Sequence, residues 1–246
     1  MLSFIVPAYN EELELPATLS AIRAAAAANS EPFEVVVAND GSTDATAAVA
    51  AAAGARVVTI NRRQIAAARN AGAREARGDI LFFVDADTRI GPAHVTGAQA
   101  ALAAGCAGGG ARVNLDGFVP LWGRVFARAF SAFYFTAANL GAGAFLFTSR
   151  ENFDRAGGFD DQLFAGEEIY FSQALKKLGR FRVLAEPVVT SGRKLRMYSA
   201  RQILGLSVGI VLRGKQGVRS RDKLDLWYDG KRETKTRNAV SGSLPG

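Results

Sequence analysis

Residues 2–84 hold four short apolar runs separated by three stretches of helical length, and this alternation constrains the fold more than any other feature. The runs cover residues 2–6, 33–37, 56–60 and 79–84. The intervening stretches at 11–29, 43–53 and 64–76 are rich in alanine, a strong helix former. Pro7 stops the first run, Gly54 and Gly78 end the second and third helical stretches, and Asn39-Asp40-Gly41-Ser42 combines a turn with helix-capping side chains. Strands that alternate with helices build a mostly parallel sheet covered on both faces. Ligands of such sheets bind just beyond the carboxyl ends of the strands. The rule selects four loops, at 7–12, 38–44, 61–70 and 85–88.

After residue 90 the pattern changes. The spacing predicts helices over 92–104, 167–178 and 200–213, strands over 111–115, 141–148 and 182–185, and a turn at Gly157-Gly158-Phe159-Asp160. Residues 118–138 form an amphipathic helical stretch in which Trp122, Phe126, Phe130, Phe133 and Tyr134 recur at helical spacing, as core packing or as an apolar groove for a lipid or aromatic acceptor. Residues 231–246 are polar and aperiodic and read as a flexible tail. The expected organisation is a single domain over 1–230, with a first half at 1–90 and a second at 91–230.

Composition narrows the chemistry. Hydrophobic residues make up 49% of the 246-residue chain and charged residues 22%, enough apolar material for a sizeable core. The lone cysteine, Cys106, excludes an internal disulfide or a Cys-rich metal site, and the lone histidine, His94, disfavours zinc or Ser-His-Asp chemistry. Catalysis has to rest on carboxylates, an oxygen-liganded metal, arginine or lysine. Charge is uneven: residues 1–192 hold 17 basic and 19 acidic side chains, whereas residues 193–246 hold 13 basic and four acidic, a net +9. Such a segment suits a phosphate-bearing substrate or an acidic membrane surface, or serves solubility alone. Nucleic acid is disfavoured, because the charge lies outside any groove-reading module. No signal-peptide pattern and no apolar run of spanning length is visible, so the expectation is a cytoplasmic chain with peripheral contact at the membrane surface.

The strand Phe82-Phe83-Val84 ends in Asp85-Ala86-Asp87. Residues two apart on an extended chain point to the same side, and two carboxylates placed so repel unless a cation or donor lies between them. A hard divalent ion, Mg²⁺ or Mn²⁺, with phosphate oxygens completing its shell, satisfies that requirement; a solvated turn capping the next helix is the plainer alternative. Asp40 follows the second strand, where it can accept from a nucleobase edge or ribose, or simply cap a turn. Pro7-Ala8-Tyr9-Asn10-Glu11 follows the first, with Tyr9 able to pack on a base and Glu11 to bond it. Arg69 lies on the third helix, within reach of phosphates or of the second-strand aspartate. Glu167-Glu168 reads locally as an acidic first helical turn.

Together the segments VPAYNE, NDGSTDAT, AARNAG and FVDADT resemble the nucleotide-binding half of family 2 glycosyltransferases, which have the GT-A fold. Gly143–Phe147, Gly157-Gly158-Phe159-Asp160 and Gly166-Glu167-Glu168 resemble the acceptor-side motifs of the same family. The resemblance implies an inverting transfer from a nucleotide-diphosphate sugar to an acceptor hydroxyl, lipid-linked or on a small molecule. It makes 1–90 the nucleotide-binding half and 91–230 the acceptor half, and assigns Pro7, Ala8, Tyr9, Glu11, Asp40, Arg69, Asp85 and Ala86 to the donor, and Asp87 with Asp85 to Mg²⁺ or Mn²⁺. Arg193, in the basic segment 190–196 after the strand-like 187–189, can close over the donor diphosphate or contact a phosphorylated acceptor, or belong to a solvated loop. Many relatives carry Glu-Asp where this chain has Glu167-Glu168; by position Glu168 inherits the base role, with Glu167 beside it and the choice between them open. The Gln-x-x-Arg-Trp motif of many relatives does not occur, which points to a non-processive member. Two other readings remain: a nucleotidyltransferase, disfavoured because residues 7–12 lack glycine and any basic residue, and a non-catalytic nucleotide-binding or membrane-surface adaptor. A dehydrogenase is disfavoured too, because no GxGxxG follows the first strand.

Overall fold

The computed structural model describes residues 1–117, 120–197, 199, 201, 202 and 219. The expected helix at 200–213 and the tail at 231–246 lie outside the described residues, apart from those positions. In chain order the elements are β1 (Leu2–Ala8), α1 (Leu15–Ala27), β2 (Phe33–Asp40), α2 (Thr46–Ala52), β3 (Arg56–Ile60), α3 (Ile65–Glu75), β4 (Ile80–Val84), β5 (Thr88–Arg89), α4 (Pro92–Ala103), β6 (Cys106–Leu115), α5 (Leu121–Ser131), β7 (Phe145–Ser149), α6 (Arg150–Ala156), α7 (Glu167–Leu178), β8 (Arg180–Thr190) and α8 (Arg193–Met197). A π-helical segment, Ala132–Ala137, continues α5.

One sheet runs in the order β3-β2-β1-β4-β7-β6-β8-β5. β3, β2, β1 and β4 are parallel, as the alternation demands. β7 then enters antiparallel to both β4 and β6, and β6 runs parallel to β8. The central strands are apolar on both faces because both are covered: Phe4, Val6, Phe82 and Phe145 pack on one side, and Ile5, Phe83, Leu146 and Phe171 on the other. α3 approaches β1 so closely that a Cβ at Gly72 would come within 2.5 Å of the Ile5 side chain, which is why glycine stands there.

The far end of the sheet curls. Four sheet spacings separate β4 from β5, about 19 Å if flat. The chain from Val84 to Thr88 reaches at most about 14 Å. The two strands can lie in one sheet only if β8 and β5 bend back over the carboxyl end of β4. Thr88 and Arg89 then pair with Thr190 and Val189. This bend delivers the β8–α8 connection to the donor-side rim.

The structure extends several expected elements. β1 continues through Pro7 because its ladder with β4 ends at Ile5↔Phe83, leaving no partner on that side for the missing N–H. β2 takes in Asn39 and Asp40, which the sequence places in a turn. β6 begins at Cys106 rather than 111, with three consecutive glycines in the strand; a Cβ at Gly109 would fall 2.1 Å from the Arg182 carbonyl and 2.3 Å from the Phe147 ring. β8 passes through Pro187 at a register shift against Ala111 and Arg112, an irregularity that accommodates proline. β5, α6 and α8 are not expected from the sequence at all. In the aromatic stretch, Tyr134 is core, packing with Phe135 and Leu140; the side chains of Phe126, Phe130 and Phe133 lie outside the described set. His94 has a structural role: its Nδ1 accepts from the Gly91 N–H at the start of α4.

Candidate active site

The loops after β1 and β2 are clasped together by short polar side chains. The Asn10 N–H donates to Ser42 Oγ (3.0 Å), and the Thr43 N–H donates to Asn10 Oδ1 (2.8 Å). The Glu11 N–H donates to Thr46 Oγ1 (2.8 Å), and the Ala45 N–H to the Glu12 carboxylate (2.8 Å). Asp44 accepts from the Thr46 N–H and hydroxyl and from the Glu12 N–H. Burial raises the Asp44 pKa, but these donors outweigh it and hold the carboxyl below its ordinary value. The Ser-Thr-Asp run of the second loop is therefore structural: it fixes where Pro7, Ala8, Tyr9 and Glu11 lie.

Asp40, buried at the end of β2, accepts from the backbone N–H groups of Arg62 (2.7 Å), Arg63 (2.8 Å) and Gln64 (2.6 Å). A carboxylate has about four lone-pair sites. Three are spent on shaping the loop before α3, a role the sequence did not reveal. That loop is tight enough to hold Arg63 at φ 50° and lays its guanidinium 3.3 Å from the Tyr9 ring centroid. One face of Tyr9 is thus backed by a cation, and Arg63 joins the site without any motif to announce it.

The two aspartates of Asp85-Ala86-Asp87 divide between two ion-pair clusters. Asp85 Oδ1 pairs with Arg69 (2.9 Å), and Arg69 in turn pairs with Glu167 Oε1 (2.5 Å) and donates to the Gly143 carbonyl (3.1 Å). Arg69 reaches the aspartate at the end of β4, not the second-strand aspartate, and at 1% exposure it is sealed between the carboxylates rather than turned toward a ligand. Burial lowers its pKa, and the carboxylates of Asp85, Glu167 and Glu168 more than reverse that. Asp87 accepts from the Thr190 hydroxyl (3.1 Å) and pairs with Arg193 (3.1 Å). Arg193 also grips Glu11 with both terminal nitrogens, at 2.8 and 2.6 Å, a two-pronged pair that a guanidinium is shaped for. Ala86, between the aspartates, is buried, and its carbonyl accepts from the Thr18 hydroxyl (2.8 Å).

Glu167 and Glu168 open α7 after Gly166, whose φ of 70° suits a residue without a Cβ. Glu167 is buried on Arg69. Glu168 is half-buried, and desolvation together with the Glu167 charge raises its pKa to about 8, although Arg69 pulls the other way. The Tyr134 hydroxyl, pushed upward by burial and by both glutamates, stays protonated and donates to the Gly141 carbonyl. One carboxylate is thus tied to an arginine and the other is tuned to exchange a proton near neutrality.

The curl of the sheet brings Glu11, Asp85, Asp87, Arg69, Glu167 and Arg193 into two linked clusters. The residue types suit a divalent cation. Among the described residues no group of three or more His, Cys, Asp or Glu is placed to hold a metal ion, and at the end of β4 the oxygen donors are the carboxylates of Asp85 and Asp87. Mg²⁺ is commonly held that way, with one or two carboxylates and the remaining positions left to substrate phosphates and water. Each aspartate already faces a guanidinium, which marks this as a place where positive charge is stabilised.

Residues 3–150 match the family model described as Glycosyl transferase family 2. The undecaprenyl-phosphate 4-deoxy-4-formamido-L-arabinose transferase of Aeromonas hydrophila is 36% identical over 103 residues, covering 39% of this chain and 31% of that protein. This chain therefore spans about a third of that relative's length. Among solved structures, a mannosyltransferase from Pyrobaculum calidifontis in complex with GDP-Man and Mn²⁺ superposes with a TM-score of 0.63 at 21% identity, covering 86% of this chain and 61% of that one. The glucosyl-3-phosphoglycerate synthase of Mycobacterium tuberculosis, in complex with phosphoglyceric acid, gives a TM-score of 0.60 at 21% identity, covering 90% and 81%. Both share the curled mixed sheet of the GT-A fold.

Proposed function

The chain belongs to glycosyl transferase family 2, and from that premise we propose that it is an inverting, metal-dependent glycosyltransferase that moves a sugar from a nucleotide-diphosphate sugar to an acceptor hydroxyl. The observation that carries this reading is the division of one Asp-Ala-Asp run between two ion-pair clusters, one leading to the glutamate pair and the other to Glu11 and Arg193. Donor-side and acceptor-side groups thereby share a single rim.

Each residue has a task in this reading. Tyr9, backed by Arg63, packs on the base, and Asp40 keeps the loop beneath it in shape. Pro7, Ala8 and Ala86 form the backbone floor, and Glu11 positions Arg193. Arg193 faces the diphosphate. Asp87, with Asp85, holds Mg²⁺ or Mn²⁺, which when bound supplies positive charge against the diphosphate oxygens. Glu168 takes the proton of the acceptor hydroxyl. The hydroxyl oxygen forms a bond to the anomeric carbon from the face opposite the diphosphate. The carbon–oxygen bond to phosphate breaks, and the nucleoside diphosphate leaves with the electron pair. Glu167, fixed by Arg69, keeps Glu168 basic enough for that step. The Pyrobaculum structure with GDP-Man and Mn²⁺ supports the donor and metal classes. The +9 charge of residues 193–246 favours work at an acidic membrane surface, as a peripheral protein on its cytoplasmic side. No helix among the described residues is long and apolar enough to cross a membrane.

A thermal-shift panel of UDP, GDP, dTDP and CDP, with and without Mn²⁺, tests the donor half of the reading, because a ligand of the folded state raises Tm by mass action. One nucleotide should stand out and should gain from the metal. Silence from all four sinks the proposal. A nucleotide response that survives Glu168→Gln together with full biological activity means a non-catalytic adaptor.

A further inference from the structure

A second charged feature lies outside the donor site. Between β6, α5 and β8 opens a cleft of ≈ 840 Å³ whose lining includes Arg112, Arg124 and Arg128 with Asn114 and Ser131, and no carboxylate among the described residues. Arg112 and Asn114 are two apart on a strand and project to one side. Arg124 and Arg128 are one turn apart on α5 and share a helix face. All three arginines are exposed, and no described carboxylate pairs with any of them, whereas Arg56, Arg69, Arg89 and Arg193 each hold one. Three guanidiniums that share one opening repel each other unless an anion joins them. The planar fork of arginine matches phosphate oxygens two at a time.

The same helix carries a second signal. Leu121 is 75% exposed and Val125 62% exposed, one turn apart on α5 beside the arginines. At 3.6 residues per turn Leu121, Arg124, Val125 and Arg128 fall within about 100° of arc, so basic and large apolar side chains share one exposed face of α5, a combination that suits a membrane interface. The cleft also adjoins the donor rim: Asp116, which follows β6, accepts from the Gly192 N–H (3.1 Å) one residue before Arg193, and Arg196 donates to the Asp116 carbonyl (3.0 Å).

We propose that the Arg112–Arg124–Arg128 cleft binds the phosphate of an anionic lipid while Leu121 and Val125 enter the apolar layer beside it. This deepens the membrane part of the reading above, and it turns the α5 face of the molecule toward the bilayer with the donor rim alongside.

The test is flotation of the full chain with vesicles of phosphatidylcholine alone and of phosphatidylcholine with phosphatidylglycerol. Binding should require the anionic lipid. Arg124→Gln/Arg128→Gln should weaken it about thirtyfold, as expected for two cations removed at a charged surface. Leu121→Ser/Val125→Ser should weaken it as well. The basic segment at 193–246 is present in every variant, so wild-type binding by Arg124→Gln/Arg128→Gln assigns attraction to that segment and overturns the proposal. Failure of the wild type to bind anionic vesicles, with glycerol 3-phosphate raising its Tm but not that of the double variant, assigns the cleft to a soluble phosphate ester and overturns the lipid assignment. Nucleotide thermal shifts on the same samples keep the two readings apart: vesicle binding without a nucleotide response leaves this inference standing and removes the donor reading.

Discussion

Residues 1–90 and residues 91–197 place their functional side chains by different means. In the first half, the polar loops follow parallel strands and are fixed by hydrogen bonds between neighbouring loops, as Asn10 with Thr43 and Asp40 with the amides of 62–64 show. In the second half, the groups of interest reach the rim through contacts with the first half: Glu167 through Arg69, Thr190 through Asp87, and Arg193 through Glu11. One half supplies a preformed cradle. The other is registered against it by charge. Changes at Glu167 and Glu168 should therefore alter turnover, whereas changes in the first half and at Arg193 should alter binding, and Arg69 should alter both.

The sharpest attempt to break that division is Glu168→Gln. Turnover should fall about 10²- to 10⁴-fold, the usual worth of a positioned base, while nucleotide thermal shifts stay as in the wild type. Loss of nucleotide binding in this variant would show that the glutamate pair also builds the donor cradle. Next is Arg69→Ala, which strands Glu167 and Asp85 around a vacated guanidinium. Removing one partner from a buried ion-pair cluster costs roughly 3–5 kcal/mol, so denaturant melts should move strongly and donor binding and turnover should both suffer. Asp87→Ala comes third: the Mn²⁺-dependent part of the nucleotide thermal shift should vanish and the metal-free part should remain.

The smallest effect is the most diagnostic. Glu168 must be ionised to accept a proton, so kcat/KM of the free protein should rise with pH along a limb centred near 8. Glu167→Gln removes one cause of the raised value and should shift that limb to lower pH, while bound Mn²⁺ should shift it the same way. The stability sign is opposite to the activity sign. Between the ordinary glutamate range and about 8, the folded chain retains a proton that the unfolded chain has released, so stability declines as pH climbs through that window. Glu168→Gln should flatten this slope. An unchanged slope would place the raised group elsewhere.

The first half was legible because its patterns are local. β3 occupies the residues that its periodicity implies, and the motif residues lie at strand ends where the topology puts them; in the second half α7 does the same, because its spacing too is local. The missed pieces depend on distant partners. Gly108, Gly109 and Gly110 look like a loop until Phe147 and Arg182 are seen to press against the first two and Phe145 and Gly141 against the third. Pro187 looks like a strand end until the register shift against β6 is known. β5 is two residues long and exists only because β8 is there to pair with it. In the site, the Asp-Ala-Asp run and Glu167-Glu168 were readable as chemistry. That Arg69 joins them was not, since sequence places it on a helix face without saying that the face is sealed. Asp40 was readable as an acceptor, for a nucleobase edge, a ribose or its own turn, but its donors in the structure are the backbone amides of residues 62–64. No sequence signal marks Arg63, because its place over Tyr9 is set by the loop that Asp40 organises.

The grip of Arg193 on Glu11 joins positions 182 residues apart. The last described strand ends at Thr190, so a nascent chain has every described strand in hand before that arginine exists. Translation therefore delivers every described strand of the scaffold before the arginine that closes the rim on Glu11. Competence, in this protein, is written into the order of synthesis as well as into the fold.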